Sequence, residues 1–288
     1  MADTGFPAQD ARTDFSRARR RRLVARLVAR LRRAPHDVDL ILPFEEVIKA
    51  LGVRGERSLG LQVIPLDSIV GSVDRTRDFD RSFRPTSSRV RPRWQRIAEA
   101  QRRGQAMPPI SVYRIGDMHF VRDGHHRVSV ARAMGREDID AYVTEVQTAV
   151  GSDRTLRPAD LPLKGHERVF NERVPLDSKA RARIQLSDPW EYATLAEGVE
   201  AWGFRVMQAR GQLMSRDEVA RAWFEEDYLP VTDALREAGL IRPGESEAEA
   251  YMRVVSDRYR LMRTHAWDER VLERLQRELS ANSPGAAS

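Results

Sequence analysis

The chain has 288 residues and no cysteine, so it can bury a substantial core in one large or two modest domains, while disulfides, thiolate zinc sites, cysteine nucleophiles and iron–sulfur clusters are excluded. Its 49 Lys and Arg outnumber 43 Asp and Glu for a formal net charge of +6, a balance that suits nucleic acid, nucleotide or anionic membrane without choosing among them. No apolar run approaches the roughly 20 residues that span a bilayer and the N-terminus lacks a secretory stretch, so a soluble, cytoplasmic protein is expected.

Residues 1–15 are small and polar and are expected to be disordered. Residues 16–33 read as a strongly basic helix. Its apolar positions Leu23, Val24, Leu27, Val28 and Leu31 form one face, expected to pack on its own domain with arginines in solvent, although a basic amphipathic helix also suits DNA or anionic membrane. A short helix over residues 43–51, stopped by Gly52, completes a basic N-terminal arm, residues 1–57.

The pattern then changes to that of a mixed sheet over residues 58–150. A β-type run at residues 61–66 precedes an arginine-rich, proline-punctuated loop from Gly71 to Pro92. A helix is expected over residues 93–103, then a strand over 110–115, a Gly116-Asp117 turn and a returning strand over 119–122. A helix over residues 125–134, closed by Gly135, and a strand over 139–146 end the unit. Residues 151–175 read as a connector. Helices expected over 189–208, 215–226, 229–238, 245–263 and 268–279 make residues 176–280 an all-α domain, with capping signals at Ser187 or Asp188, at Ser215 and at Ser246, and residues 281–288 a disordered tail.

The segment FVRDGHHRVSVARAMG concentrates the chemistry. A strand delivers Gly124, which can take a positive φ and let a ligand approach, into the first turn of a helix, where free N–H groups and the helix dipole favour an anion. His125, His126 and Arg127 add donors there, and Arg127 can fork two bonds to one phosphate. Asp123 makes sense beside an anion as a magnesium ligand or as a proton acceptor. Arg75, Arg77, Arg81, Arg84, Arg89, Arg91 and Arg93, in or bordering the preceding loop, can cover phosphates or contact a nucleic-acid backbone, with a solvated surface as the alternative. The bland alternative is a strand-to-helix turn in which Asp123 caps the helix and the histidines pack. The other histidines, His36, His119, His166 and His265, lack metal-ligand spacing, and the tryptophans on the C-terminal helices read as core.

The turn DGHHR, with IPLDSI at residues 64–69 and PPISVYRIGDMHFVRDGHHR at 108–127, resembles the signature of the ParB/sulfiredoxin superfamily over about a third of the chain. The resemblance implies an α+β fold in which the Gly124 turn contacts the phosphates of a nucleotide, CTP in partition proteins and ATP or ADP in free-serine kinases, with Mg2+. His125 stands where sulfiredoxins place their catalytic cysteine, which argues against sulfinic-acid reduction. The loop VGSVDRTRDFDRSF offers Asp74, Asp78 and Asp80 where the kinases use a glutamate.

Three functions follow. The first is a ParB-like nucleotide switch associated with DNA and chromosome partitioning, with homodimerisation left open; the second is an NTPase or small-molecule phosphotransferase in which Asp74 or Asp123 orients or deprotonates the acceptor hydroxyl, and the third an interaction scaffold with a vestigial site. Against operator reading, Pro230 falls where a recognition helix would run in residues 215–240.

Overall fold

The computed structural model describes residues 4–31 and 40–262, with the side chains of residues 29 and 257–262 outside the description. The helix expected over 268–279 and the tail at 281–288 fall outside the described residues. Two compact units divide at Arg168/Val169.

The first unit is a six-stranded mixed sheet with helices. Its strands are β1 (Leu42–Pro43), β2 (Val53–Pro65), β3 (Ile69–Ser72), β4 (Ile110–Ile115), β5 (Met118–Asp123) and β6 (Asp138–Thr148), in the order β1-β3-β5-β4-β6-β2. The β4–β5 hairpin turns at Gly116 (φ 57°) as its Gly-Asp pair predicts, and β6 lies parallel to β4 and antiparallel to β2. Helices α1 (Pro7–Leu31), α2 (Phe44–Leu51), α3 (Arg91–Arg102) and α4 (His125–Ala133) belong to this unit. Trp94 of α3, Val128 and Ala131 of α4, and Ile110, Val112, Val121 and Val143 of the sheet share one core. A second core joins α2 to the sheet through Leu42, Phe44, Leu51, Val70, Phe120 and Val146. The mixed-sheet, α+β reading of the sequence therefore holds.

Three expectations need correction. Helix α1 starts at Pro7, so the residues expected to be disordered are largely helical: Ala11 and Phe15 are buried, Phe15 meets Trp94 edge to face at 5.5 Å, and Asp10 and Asp14 face Arg102 of α3. Polar composition hid this because the two acids are matched by a cation remote in sequence. Conversely, the stripe Leu23, Val24, Leu27, Val28 and Leu31 is 38 to 76% exposed, since the packed face of α1 is the earlier one at Ala11, Phe15 and Ala18. The arm is also no separate piece: β1 pairs with β3 and β2 begins at Val53, both ahead of residue 58.

The presumed connector contains α5 (Leu161–Arg173), within which the boundary between the units falls. The second unit is helical: α6 (Ser178–Ala182), α7 (Pro189–Arg210), α8 (Arg216–Trp223), α9 (Leu229–Glu237) and α10 (Glu247–Met262). The caps expected from sequence are made. Asp188 accepts from the Trp190 N–H, and Ser215 and Glu218 close a capping box, as do Ser246 and Glu249. Between α8 and α9 the chain makes a π-helical turn, Phe224–Tyr228, in which Leu229 N–H reaches back to Phe224 O. That wider turn accommodates Pro230 in the first turn of α9, so residues 216–237 form one helical run instead of two helices set at a turn. Among the described residues, no helix is long and apolar enough to cross a membrane.

Candidate functional site at the start of α4

Gly124 adopts φ 103° and ψ 15°, and a Cβ built there would lie 2.4 Å from Ile110 Cγ2. Only glycine fits both the backbone and the space. The first helical hydrogen bond is Val128 N–H to Gly124 O, which leaves the N–H groups of His125, His126 and Arg127 without a backbone acceptor at the positive end of α4.

Around that end lies a cleft of about 50 Å3 lined by Arg75, Arg93, Ile97 and residues 123–127. Both histidines are buried, at 5% exposure for His125 and 7% for His126. His125 Nε2 is 2.8 Å from Ser72 Oγ at the end of β3, and Ser72 Oγ also accepts the Arg75 N–H at 3.0 Å. The ring lies nearly parallel to Phe79 and Phe83. His126 meets Phe79 edge to face, and its Nδ1 is buried without a hydrogen-bond partner. Burial, assisted by Arg75, lowers the His125 pKa from 6.5 to about 4, and burial with Arg93 and Arg75 does the same to His126. Both rings are therefore neutral at pH 7.

Arg127 has a different role from the one expected. Its Nη1 donates to Pro108 O at 2.5 Å and Pro109 O at 2.7 Å, and its Nη2 to Asp123 Oδ2 at 2.5 Å. The guanidinium that was to fork onto a phosphate already ties the approach to β4 to the start of α4. Asp123 is correspondingly committed, although its side chain remains 68% exposed. Arg75 lines the cleft and pairs with Asp78 at 3.0 Å. Asp74 is exposed and close enough for its charge to act on His125. Arg77 is exposed and does not line the cleft; its carbonyl accepts from Thr86. Among the described residues, no three His, Cys, Asp or Glu side chains form a metal-holding group.

Arg93, one of the seven arginines expected to be able to cover phosphates, does line the cleft. It lies in the first turn of α3, exposed, with no hydrogen bond or ion pair to another described residue, and its charge acts on His126. Phe79 and Phe83 were missed by the sequence reading. They turn the arginine-rich loop inward, burying both rings against His125, with Phe83 at φ 55°, a conformation that a bulky side chain holds only under constraint.

No protein-family model and no curated protein matches the chain. Among solved structures, sulfiredoxin from Arabidopsis thaliana matches with a TM-score of 0.24 and 17% identity, covering 30% of this chain and 86% of that one.

Proposed function

We propose that this protein binds a phosphate-bearing nucleotide at the start of α4, in the manner the DGHHR resemblance to the ParB/sulfiredoxin superfamily implies. The observation behind it is the convergence on one cleft of three N–H groups with no backbone acceptor, the Arg93 guanidinium, which has no ion pair with a described residue, and His126, whose buried Nδ1 has no described hydrogen-bond partner. Neutral imidazole and backbone donors suit a phosphate because they give hydrogen bonds without needing a counter-charge of their own. The cleft alone is too small for a nucleotide. A second cavity of about 400 Å3, lined by Gln101, Met107, Pro108 and Asp140, shares Arg127 with it and offers room for the nucleoside. Where Mg2+ accompanies the phosphates, Asp123 and Asp74 are the exposed carboxylates that would hold it, and it would neutralise phosphate charge.

Binding is favoured over phosphotransfer because Asp123, the acid best placed to accept a proton, is paired with Arg127. The test is calorimetric titration of the full chain with inorganic phosphate, CTP, ATP and ADP, with and without Mg2+ and duplex DNA. Arg93→Ala should weaken binding about tenfold or more while leaving the denaturation midpoint unchanged. CTP binding strengthened by DNA supports a partition-type switch. Adenine-nucleotide binding indifferent to DNA, with turnover lost in Asp123→Asn, supports a kinase. If none of these anions binds, or if Arg93→Ala binds them as tightly as the parent, the site is a helix start and nothing more.

A further inference from the structure

The helical unit contains a cavity of about 250 Å3 walled by α7, α8, the π turn and α10. Trp202, Trp223 and Tyr251 give it aromatic sides, and two opposite charges, Asp227 and Arg205, line it as well. Asp227 belongs to the π-helical turn and is only 9% exposed. Among the described residues its carboxylate has one hydrogen-bond partner, the Tyr251 hydroxyl, which in turn accepts from Trp223 Nε1 at 3.0 Å. It forms no ion pair with a described residue. A buried carboxylate held by one neutral donor is poorly compensated for its lost hydration. Arg205, half-buried on α7, also lines the cavity and makes no ion pair or hydrogen bond with a described residue, Asp227 included.

Gly198 adds an independent sign. It stands inside α7, where glycine weakens a helix, and it lines the cavity with open space where a Cβ would be. Gly203, one turn and a little further along, is explained by packing, since its Cβ would meet Val219 at 2.4 Å. No such contact accounts for Gly198. Its missing side chain keeps the cavity accessible.

We infer that this cavity binds a free, zwitterionic amino acid with an apolar side chain, its ammonium group facing Asp227, its carboxylate facing Arg205 and its side chain against the tryptophan walls. Two charges of opposite sign, neither in an ion pair with a described residue, in one small aromatic cavity match a ligand that carries both charges itself. A simple amine would leave Arg205 unmatched, and a simple carboxylate would leave Asp227 unmatched.

The full chain is titrated with L-leucine, L-methionine and L-phenylalanine, and with two analogues of leucine, 3-methylbutylamine and 4-methylpentanoate, following tryptophan fluorescence and calorimetry. At least one amino acid should bind, and for leucine each analogue should bind about tenfold or more weakly. Asp227→Asn, which can still accept from Tyr251, should abolish the preference for leucine over 4-methylpentanoate. Arg205→Gln should abolish the preference over 3-methylbutylamine. Gly198→Leu, which fills the opening without disturbing the helix, should remove binding altogether, with circular dichroism confirming that all three variants fold. The inference is overturned if none of the three amino acids binds, if either analogue equals leucine in the parent protein, or if folded Gly198→Leu binds as the parent does.

Discussion

Ser72 Oγ lies 2.8 Å from His125 Nε2 and 3.0 Å from the backbone nitrogen of Arg75, so one buried hydroxyl joins the end of β3, the arginine-rich loop and the first residue of α4. The hydroxyl oxygen accepts the Arg75 N–H and shares a hydrogen bond with the His125 ring, which its lowered pKa keeps neutral. Ser72→Ala removes both interactions and leaves a buried ring nitrogen and an N–H unsatisfied. A loss of about 1 to 3 kcal/mol in unfolding free energy is expected by urea denaturation. An unchanged midpoint would show that water replaces the hydroxyl without penalty.

Three buried histidines make stability depend on pH. Burial lowers His125, His126 and His119 to about 4, with Arg75, Arg93 and Arg114 respectively as the next contributors. In each case the folded pKa lies below the unfolded value of 6.5, so the unfolded chain takes up the proton first. Stability is complete above pH 6.5 and falls as pH drops from there to about 4, at up to about 1.4 kcal/mol per pH unit for each histidine. Guanidinium denaturation at pH 7, 6 and 5 should show a steadily falling midpoint. A midpoint level across that range would mean that the rings are protonated in the folded state.

Much of the sheet unit was legible from the sequence because its signals are local. The Gly116 turn, the Gly124 strand-to-helix transition and the run at residues 110–115 need only neighbouring residues to be read, and β4 spans those very six. What stayed hidden depends on partners far along the chain. The first turns of α1 look like a polar tail until Asp10 and Asp14 are set against Arg102, about 90 residues later. Arg127 looks like a phosphate ligand until Pro108 and Pro109 supply its acceptors. Arg93 looks like one more loop arginine until folding sets it, with Arg75, beside His126. A sequence shows which groups can bond, and the fold decides which are already bonded.

The Arg102 contact gives a prediction about α1. Its guanidinium donates to Asp14 Oδ2 at 2.6 Å and lies 3.5 Å from Asp10, with all three side chains at or below 10% exposure. Arg102→Ala removes the cation shared by two buried carboxylates, but Asp14 keeps Arg17 at 3.5 Å and Asp10 keeps the Thr4 donors, so the loss should stay below the roughly 3 to 5 kcal/mol of an uncompensated buried charge. Hydrogen exchange should then show α1 opening ahead of the sheet. If residues 7–18 exchange as slowly in the variant as in the parent, the contact of Phe15 with Trp94 holds α1 by itself.

Arg127 and Asp123 separate a structural tie from a binding site. The arginine has three acceptors, two of them carbonyls at Pro108 and Pro109, whereas the aspartate is largely exposed and gives one ion pair. An exposed pair contributes at most about 1 kcal/mol, and Asp123→Asn keeps an acceptor oxygen in place, so that variant should unfold at nearly the parent midpoint. Arg127→Ala strands two carbonyls where the chain enters β4 and opens space beside Gly124, and should lose about 1 to 3 kcal/mol. Arg127→Lys should not restore it, because an ammonium group lacks the planar fork that spans the Pro108 and Asp123 sides together. Phosphate affinity, measured on the fraction that remains folded, should change less in Arg127→Ala than in Arg93→Ala. The reverse order, with Arg127→Ala stable but unable to bind phosphate, would return Arg127 to the ligand.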